Sequence, residues 1–509
     1  MKASAHHRNR RAAAGSSGDS LRDRLEGERP RAGAPPAGRS KAGPLAIILL
    51  VDGARPDVLE ELLAAGELPH IQEEIAGPGS VRRATSCLPS TTGPAHLPFL
   101  TGCYPGTLNI PGIRWLDKQV YGRGGVWDRQ SFRSYNGVEA LYMNRDLPRE
   151  RKTIFELAER PFAIYSLLTR GLSRGRDLTR FVKPWLYLRA HLTDRWHPID
   201  RVAEAKMLAC LDDDPDFLFA VFPAVDSFSH LRHPRDPETI AAYHGVDRSV
   251  GKLVADLKRR GRWDETLLVI TSDHGLTPTT THLDLARFLD GRGLRTLSYP
   301  VVWKRKPATA VMISGNAVGK VYFLGNGGAC LEGDAVPGAL GDVWPELMAR
   351  EEVDFSAWRE GPERIRIASP RGNALVVREA RGLCYRPETG DPFHMGGDLG
   401  PFEDAQSLAA THESDYPDAL VQLFQFFGSP RSGDLVVVSR NGSDLREAFE
   451  WPEHRSSHGS LHREHMSVPL IANRRGWDPR PARTVDLFPS VLRWLGKPQL
   501  ENIDGRALF

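Results

Sequence analysis

Leu45-Ala-Ile-Ile-Leu-Leu-Val51 is an uninterrupted apolar run that ends directly in Asp52-Gly53. A continuous apolar run of this length predicts a strand that is buried on both faces, as in a parallel α/β sheet. The same pattern recurs in the runs 217–222 and 266–271, and amphipathic helices are predicted over about 55–65 and 237–260. Strands that alternate with helices predict an α/β fold with a doubly wound, mainly parallel sheet sandwiched by helices.

Polar side chains follow each of these three predicted strands. Asp52 comes directly after the first strand, Asp226 follows the second, and Asp273-His274 follows the third. In open α/β sheets, ligands bind in the crevice outside the carboxyl ends of the strands. These side chains are therefore the first candidates for a functional site.

The residue types at these strand ends are typical of a metal site. Asp226 and His230 are four residues apart, so they would project to one side of a helical turn. His458-Gly459 lies in a Ser-rich turn near the C-terminus. Nitrogen and oxygen ligands without thiolate suit zinc, with manganese or iron as substitutes. Each motif alone is more often a helix cap or a surface pair, and it is their common placement that favours a metal site.

Taken together and in chain order, these motifs resemble the type I phosphodiesterase/nucleotide pyrophosphatase branch of the alkaline phosphatase superfamily. The resemblance covers 45–115, 215–285 and 430–509. Its motifs are Val51-Asp52-Gly53, Thr92-Gly-Pro94-Ala-His96, Thr101-Gly102, Tyr104-Pro105, Asp226-xxx-His230, Ser272-Asp273-His274-Gly275, Ser457-His458-Gly459, Val485-Asp-Leu-Phe-Pro-Ser-Val491 and Asp504-Gly505-Arg506.

The resemblance implies two divalent metal ions, zinc or manganese, and a threonine nucleophile. One ion would be held by Asp52, Thr92, Asp273 and His274, and the other by Asp226, His230 and His458. Thr92 would attack phosphorus and form a covalent intermediate, because metal coordination stabilises the alkoxide of an otherwise poor nucleophile. The implied activity is hydrolysis of phosphodiester or pyrophosphate bonds of the nucleotide type, with a small-molecule phosphate ester or nucleotide as substrate.

Three other functions compete with this interpretation. Cys87-Leu-Pro-Ser90 resembles the start of a sulfatase signature, but Thr91 stands where that signature needs Arg, so we expect Cys87 to be a buried small side chain. A phosphomonoesterase or phosphonate hydrolase could use the same metals. The absence of Lys and Arg between Arg83 and Arg114 mildly favours diesters. A non-catalytic metal-binding scaffold is the third alternative.

The sequence also departs from the family's pattern near the nucleophile. Ala95 stands where nucleotide-cleaving members commonly have Asn, and the stretch 110–114 lacks their second Asn. Thr91 replaces the usual Lys. The candidates to supply the missing phosphoryl donor are Asn109, Arg114, Arg440 and Asn441.

We divide the chain into a disordered basic tail (1–43), an alkaline phosphatase-like catalytic domain (44–284 and 431–509) and a smaller α+β cap domain (285–430). Residues 118–200 are rich in Arg and aromatic side chains and form a candidate helical insertion. We prefer to interpret this segment as a packed helical excursion with a solvated basic face. The alternative is an element that covers the substrate or contacts a membrane surface.

Overall composition limits the partners and the compartment. The 509 residues are 40% apolar and 26% charged with a net charge of +3, so nothing indicates a specific nucleic-acid partner. Five cysteines without a CxxC pair favour a reducing compartment. No signal-peptide-like segment and no run of about 18 apolar residues is present, so a cytoplasmic location is predicted.

Overall fold

The computed structural model describes residues 43–447, 450 and 453–509, with the side chain of Val138 excepted. The predicted basic tail therefore lies outside the described residues except for its last position, Gly43.

The described residues form strands and helices that we number in chain order. The strands are β1 Leu45–Val51, β2 Ser80–Thr85, β3 Arg114–Leu116, β4 Phe132–Ser134, β5 Pro161–Ile164, β6 Phe217–Phe222, β7 Thr266–Thr271, β8 Thr277–Pro278, β9 Thr281–His282, β10 Thr296–Ser298, β11 Thr309–Ser314, β12 Val318–Phe323, β13 Val353–Gly361, β14 Arg364–Ser369, β15 Gly372–Glu379, β16 Gly382–Gly390, β17 Leu399–Phe402, β18 Leu435–Ser439, β19 Ser443–Asp444, β20 Ser456–Ser457, β21 Ser467–Ala472 and β22 Ala482–Arg483. The helices are α1 Pro56–Ala64, α2 Pro69–Ile71, α3 Leu97–Thr101, α4 Lys118–Gly124, α5 Met143–Asp146, α6 Ile154–Leu157, α7 Lys183–Thr193, α8 His197–Cys210, α9 Ala224–Leu231, α10 Pro237–Arg259, α11 Leu285–Asp290, α12 Ala335–Leu340, α13 Val343–Met348, α14 Asp404–Thr411, α15 Ala419–Phe427, α16 Arg463–Met466 and α17 Leu487–Trp494.

The central sheet has the strand order β22-β2-β21-β7-β1-β6-β5. β1 pairs in parallel with β6 and β7, β5 with β6, and β2 with β22, whereas β21 is antiparallel to both of its neighbours. Every residue of β1, β6 and β7 is buried, as expected for strands covered on both faces. The predicted α/β fold with a mainly parallel sheet is confirmed.

The register of β1, β6 and β7 brings their carboxyl ends to one edge of the sheet. Val51 pairs with Phe222, and Leu50 pairs with Thr271. The backbone N–H of Asp52 also donates to the carbonyl oxygen of Phe222 at 3.1 Å, which continues the ladder one residue further. The polar residues that follow the three strands therefore meet at the same place.

A second, nine-stranded sheet has the order β10-β11-β12-β18-β13-β14-β15-β16-β17. Neighbouring strands in this sheet are antiparallel, except for the parallel pair β10–β11. This sheet accounts for most of the region assigned to an α+β cap, and the division into two domains stays a prediction.

One strand does not follow that division. We assigned 431–509 to the catalytic domain, but β18 lies in the second sheet between β12 and β13. The reason is packing on both of its faces. Val436 and Val438 join one apolar cluster, and Leu435 and Val437 join another on the opposite side of the sheet.

The segment 118–200, considered above as a possible helical insertion, contains strands as well as helices. β5, at Pro161–Ile164, is an edge strand of the central sheet and runs parallel to β6. All four of its residues are buried, like those of β6 beside it. A short apolar run is consistent with a buried strand as well as with a buried helix, which is why the sequence did not identify β5. The segment also contributes the small antiparallel pair β3–β4, while α7 and α8 form its main helical part.

All five cysteines are free thiols, and Cys87 is buried as predicted. Among the described residues, no helix combines the length and the apolar character that a bilayer crossing requires.

A buried ion pair joins the start of α15 to the central sheet and generates a stability prediction. Arg483 donates to both carboxylate oxygens of Asp418, at 2.8 and 2.6 Å, and both residues are buried. Asp418→Ala should lower the free energy of unfolding by about 3–5 kcal/mol, because it removes the carboxylate that pairs with the buried guanidinium. Urea unfolding measures this change. Glu379→Ala, which removes one of the exposed partners of Arg386, is the control and should change stability much less. Equal effects of the two substitutions would contradict the assignment.

Candidate active site

The first group of site residues lies at the ends of β1 and β7. Asp52, Asp273 and His274 are buried, and each offers a ligand atom within 4.8 Å of the others. His274 Nε2 is 3.5 Å from Asp52 Oδ1 and also 3.5 Å from Asp273 Oδ2. The strand register described above is what brings these three side chains together.

Thr92 completes this group with its hydroxyl. Its Oγ1 lies 3.0 Å from His274 Nε2 and 3.3 Å from Asp52 Oδ1. The next residue, Gly93, has a φ of 94°, which favours glycine, and a 3₁₀ turn at Pro94–His96 follows before α3. Thr92 is partly exposed while Thr91 and Gly93 on either side are buried, so the turn presents the hydroxyl to the site.

The second group combines helix α9 with a turn from the C-terminal region. Asp226 and His230 lie one turn apart on α9, and His230 Nε2 is 3.3 Å from Asp226 Oδ1. His458 joins them, and the ligand atoms of the three residues lie within 4.8 Å of one another. The predicted projection of Asp226 and His230 to one side of a helix is confirmed.

The two groups are in direct contact. The rings of His274 and His458 stack with their centroids 3.7 Å apart and an angle of 6° between the planes. Gly53 has a φ of 68°, and a Cβ at this position would lie 2.8 Å from Cβ of Asp226. Only glycine therefore lets the chain after β1 pass this close to the second group.

The imidazole rings of His230, His274 and His458 are each held by a hydrogen bond at Nδ1, which leaves Nε2 available as a ligand atom. On the tautomer that these contacts indicate, each Nδ1–H donates to a backbone carbonyl oxygen. The pairs are His274 to Gly275 at 3.1 Å, His230 to Ser456 at 2.8 Å and His458 to Ser90 at 2.9 Å. Metal-binding histidines are commonly held in this way by a second hydrogen bond.

The carboxylates of the site create a negative charge that favours bound cations. Burial, followed by the negative charges of Asp273 and Asp226, raises the pKa of Asp52 well above its usual value. Within the described residues, Asp226 Oδ1 and Asp273 Oδ2 are buried without a hydrogen bond of good geometry. Despite burial, neighbouring histidines lower the pKa of Asp226 and Asp273, so both carboxyl groups favour the ionised form that a cation binds. The residues present therefore fit divalent cations.

The imidazole of His458 suits a metal ligand in its charge state. Burial, and then the neighbouring His274 and His230, lower its pKa well below the usual value. A ligating imidazole must be neutral, so this environment favours the binding form.

The structure brings all seven predicted site residues together but not the candidates for the phosphoryl donor. Ala95, in place of the family's Asn, is fully buried. Arg440 is exposed. The other three candidates bond to side chains outside the two groups: Asn109 to Ser429, Arg114 to Glu447 and Asn441 to Glu464.

Two further histidines belong to the site, and sequence reasoning gave them no role. His96 Nε2 lies 3.2 Å from Asp273 Oδ2, and both residues are buried. His454 stacks on His230 with ring centroids 4.2 Å apart, and its Nδ1 is 3.2 Å from Glu450 Oε1. The four-residue spacing of Glu450 and His454, the same as that of Asp226 and His230, was the available signal.

Comparisons with known proteins agree with this geometry. The profile of the type I phosphodiesterase / nucleotide pyrophosphatase family matches residues 46–461. The bis(5'-adenosyl)-triphosphatase ENPP4 of Bos taurus is 22% identical over 294 residues, which are 56% of this chain and 57% of that protein. The match thus spans little more than half the length of this relative. The human ectonucleotide pyrophosphatase/phosphodiesterase family member 7 is 38% identical over 66 residues, 13% of this chain and 14% of that protein.

Solved structures share the fold. Phosphonoacetate hydrolase from Sinorhizobium meliloti 1021, in complex with phosphonoformate, superposes with a TM-score of 0.55 at 18% identity, covering 89% of this chain and 96% of that chain. Murine ectonucleotide pyrophosphatase/phosphodiesterase 5 gives a TM-score of 0.53 at 14% identity, with 90% and 96% covered. An inactive form of that murine protein was solved in complex with AMP.

The family profile covers most of the chain, from the first central strand to the turn that carries His458. The chain therefore belongs to the type I phosphodiesterase/nucleotide pyrophosphatase family of hydrolytic enzymes.

Proposed function

We propose that the protein is a metal-dependent hydrolase that cleaves phosphodiester or pyrophosphate bonds of nucleotide-type substrates through a covalent intermediate on Thr92. The observation that carries the proposal is the position of the Thr92 hydroxyl, 3.0 Å from His274 Nε2 and 3.3 Å from Asp52 Oδ1. Thr92 is partly exposed, at the edge of a cluster of carboxylates and imidazoles that is buried except for Asp226.

Two divalent cations, zinc or manganese, would bind the two groups of residues. Asp52, Thr92, Asp273 and His274 would hold one, and Asp226, His230 and His458 the other. When bound, such ions supply Lewis-acid stabilisation of the attacking and leaving oxygens in an in-line displacement. Oxygen and nitrogen donors without thiolate are compatible with both metals.

The protein's own residues supply the nucleophile and hold its proton. Asp52 Oδ1, at 3.3 Å, is the acceptor for the Thr92 hydroxyl proton. His274 Nε2 would be a metal ligand instead, because its Nδ1–H already donates to Gly275 and leaves Nε2 a single lone pair. Attack by Oγ1 forms a bond to phosphorus while the bond to the leaving oxygen breaks. A water oxygen then attacks the same phosphorus, the bond to Oγ1 breaks, and Thr92 regains a proton. Two in-line displacements retain the configuration at phosphorus overall.

Similar proteins support a small phosphorus-containing substrate. One relative is named a bis(5'-adenosyl)-triphosphatase, and one structural neighbour binds AMP. Another neighbour, a phosphonoacetate hydrolase, represents the competing class of phosphonates and phosphomonoesters on the same site. A non-catalytic metal-binding scaffold remains the third alternative. We also propose a cytoplasmic location, on the basis of the cysteine pattern of the sequence.

The substrate class is tested with the purified full chain on three chromogenic substrates. Bis-p-nitrophenyl phosphate and thymidine 5′-p-nitrophenyl phosphate should be hydrolysed at least about tenfold faster than p-nitrophenyl phosphate, because binding energy from the second ester group contributes to the transition state. Chelation should abolish the activity, and zinc or manganese should restore it. A preference for the monoester would support the competing class. Inactivity of the metal-loaded protein on all three would indicate a scaffold.

The nucleophile is tested by Thr92→Ala, which should lower kcat by about 10³-fold or more because no hydroxyl remains to attack phosphorus. Thr92→Ser is the matched variant: it keeps a hydroxyl and should retain measurable turnover. Acid-quenched samples of the wild type should show the mass of a covalent adduct that Thr92→Ala lacks. Thermal unfolding should be similar in all three proteins. Near wild-type turnover in Thr92→Ala would refute the mechanism.

A further inference from the structure

Helix α7 presents an apolar face to solvent. Phe181, Trp185, Leu188 and Leu192 are exposed by 73%, 74%, 52% and 64%. Their spacing of four, three and four residues places them on one side of the helix and of the turn that precedes it. Single exposed apolar side chains are common on protein surfaces, but a contiguous row of four marks an interaction site.

The opposite side of α7 packs against the rest of the protein, and this packing determines that the apolar row faces solvent. The ring of Tyr187 contacts the rings of Tyr165 and Trp196, each at 5.6 Å between centroids. Ala190, on the same side, is buried. The preceding segment is held to the sheet edge, because the Tyr165 N–H donates to Thr179 Oγ1 at 2.7 Å.

The apolar row lies within a strongly basic segment. Residues 170–195 contain seven Lys or Arg and only two Asp. Arg174, Arg180, Arg189 and Arg195 are exposed, and no carboxylate in the described part of the chain lies within ion-pair distance of their guanidinium groups. Apolar and aromatic side chains beside unpaired basic ones are typical of helices that lie in a membrane interface.

We propose that α7 and the turn before it form a docking surface for an anionic lipid bilayer. Phe181, Trp185, Leu188 and Leu192 would enter the boundary between headgroups and acyl chains, where the indole of tryptophan is favoured. The surrounding arginines would face the negative lipid headgroups. Sequence reasoning preferred a packed helix with a solvated basic face, and it is the uncovered apolar row that changes this interpretation.

Charge also argues for a bilayer over a second copy of this chain. A twofold dimer built on this face would bring α7 against α7, and with it two segments that each carry an excess of five positive charges over 170–195. Like charges facing each other disfavour such a contact. The 11 residues of α7 also span only about 16 Å, which is short for a stable dimer interface.

The surface is independent of the proposed chemistry, because none of its side chains belongs to the two groups of candidate ligands. Its test therefore needs no activity measurement.

The test is co-sedimentation of the full chain with vesicles of phosphatidylcholine, with or without about 30% phosphatidylglycerol. The wild type should sediment with the anionic vesicles and much less with the neutral ones, and raised salt should weaken the binding because it screens the charges. The double substitution Trp185→Ser and Leu188→Ser should lower the partition coefficient by about tenfold or more. The basic tail is present in every variant, so its contribution is constant.

Two further variants control the interpretation. Val81→Ser removes another exposed apolar side chain, on β2 near the opposite edge of the central sheet from β5, and should bind as the wild type does. Arg189→Glu with Arg195→Glu leaves the apolar row intact and should reduce the preference for anionic vesicles severalfold, because it lowers the positive charge beside the row. This variant keeps the proposal testable if the serine variant is unstable. Thermal unfolding establishes that each variant is folded.

Three outcomes would overturn the proposal. In the first, the wild type stays in solution with both kinds of vesicle. In the second, the folded double-serine variant binds the anionic vesicles as well as the wild type does. The third is a dimer of the wild type in analytical ultracentrifugation that the serine substitutions dissociate, which would mean that a second copy covers the face.

Discussion

The common register of β1, β6 and β7 is the constraint on which the site depends. Because these three neighbouring strands end at one edge, the partly buried carboxylate of Asp226 converges with the buried carboxylates of Asp52 and Asp273. Nothing on the strands themselves neutralises them, and burial with mutual repulsion raises the pKa of Asp52. Cations bound at this place would offset the repulsion, so the proposed metal binding would also stabilise the fold.

The second sheet contributes to the site as well as covering part of the fold. The turn after β11 lies against the segment that carries His458, and a Cβ on Gly315 would be 2.5 Å from the carbonyl oxygen of His458. Asn316 forms an isolated β-bridge with His458. Its side-chain Nδ2 donates to Glu450 Oε1 at 2.7 Å, and the same oxygen lies 3.2 Å from His454 Nδ1. The region predicted as a cap therefore supports one side of the cluster. Gly315 lets its segment approach the segment that carries His458 closely.

Sequence reasoning succeeded where the signal was local. The bounds of β1, β6 and β7 follow from continuous apolar runs, and Asp52, Asp226 and Asp273 lie within four residues of the ends of those runs. It failed where long-range pairing decides. β5 is a four-residue run within an Arg-rich segment, and the membership of β18 in the second sheet depends on partners more than 70 residues away in the chain. The role of His96 comes from a contact with Asp273 that no spacing indicates.

The central claim, that the strand ends form a two-cation centre, is tested most directly by anomalous diffraction at the zinc and manganese edges on crystals of the full chain. The account predicts two peaks, one bounded by Asp52, Asp273 and His274 and one by Asp226, His230 and His458. Asp226→Asn should remove the second peak, whereas His462→Gln, a nearby buried histidine outside both groups, should keep both. No anomalous density between these side chains after exposure to either metal would contradict the account.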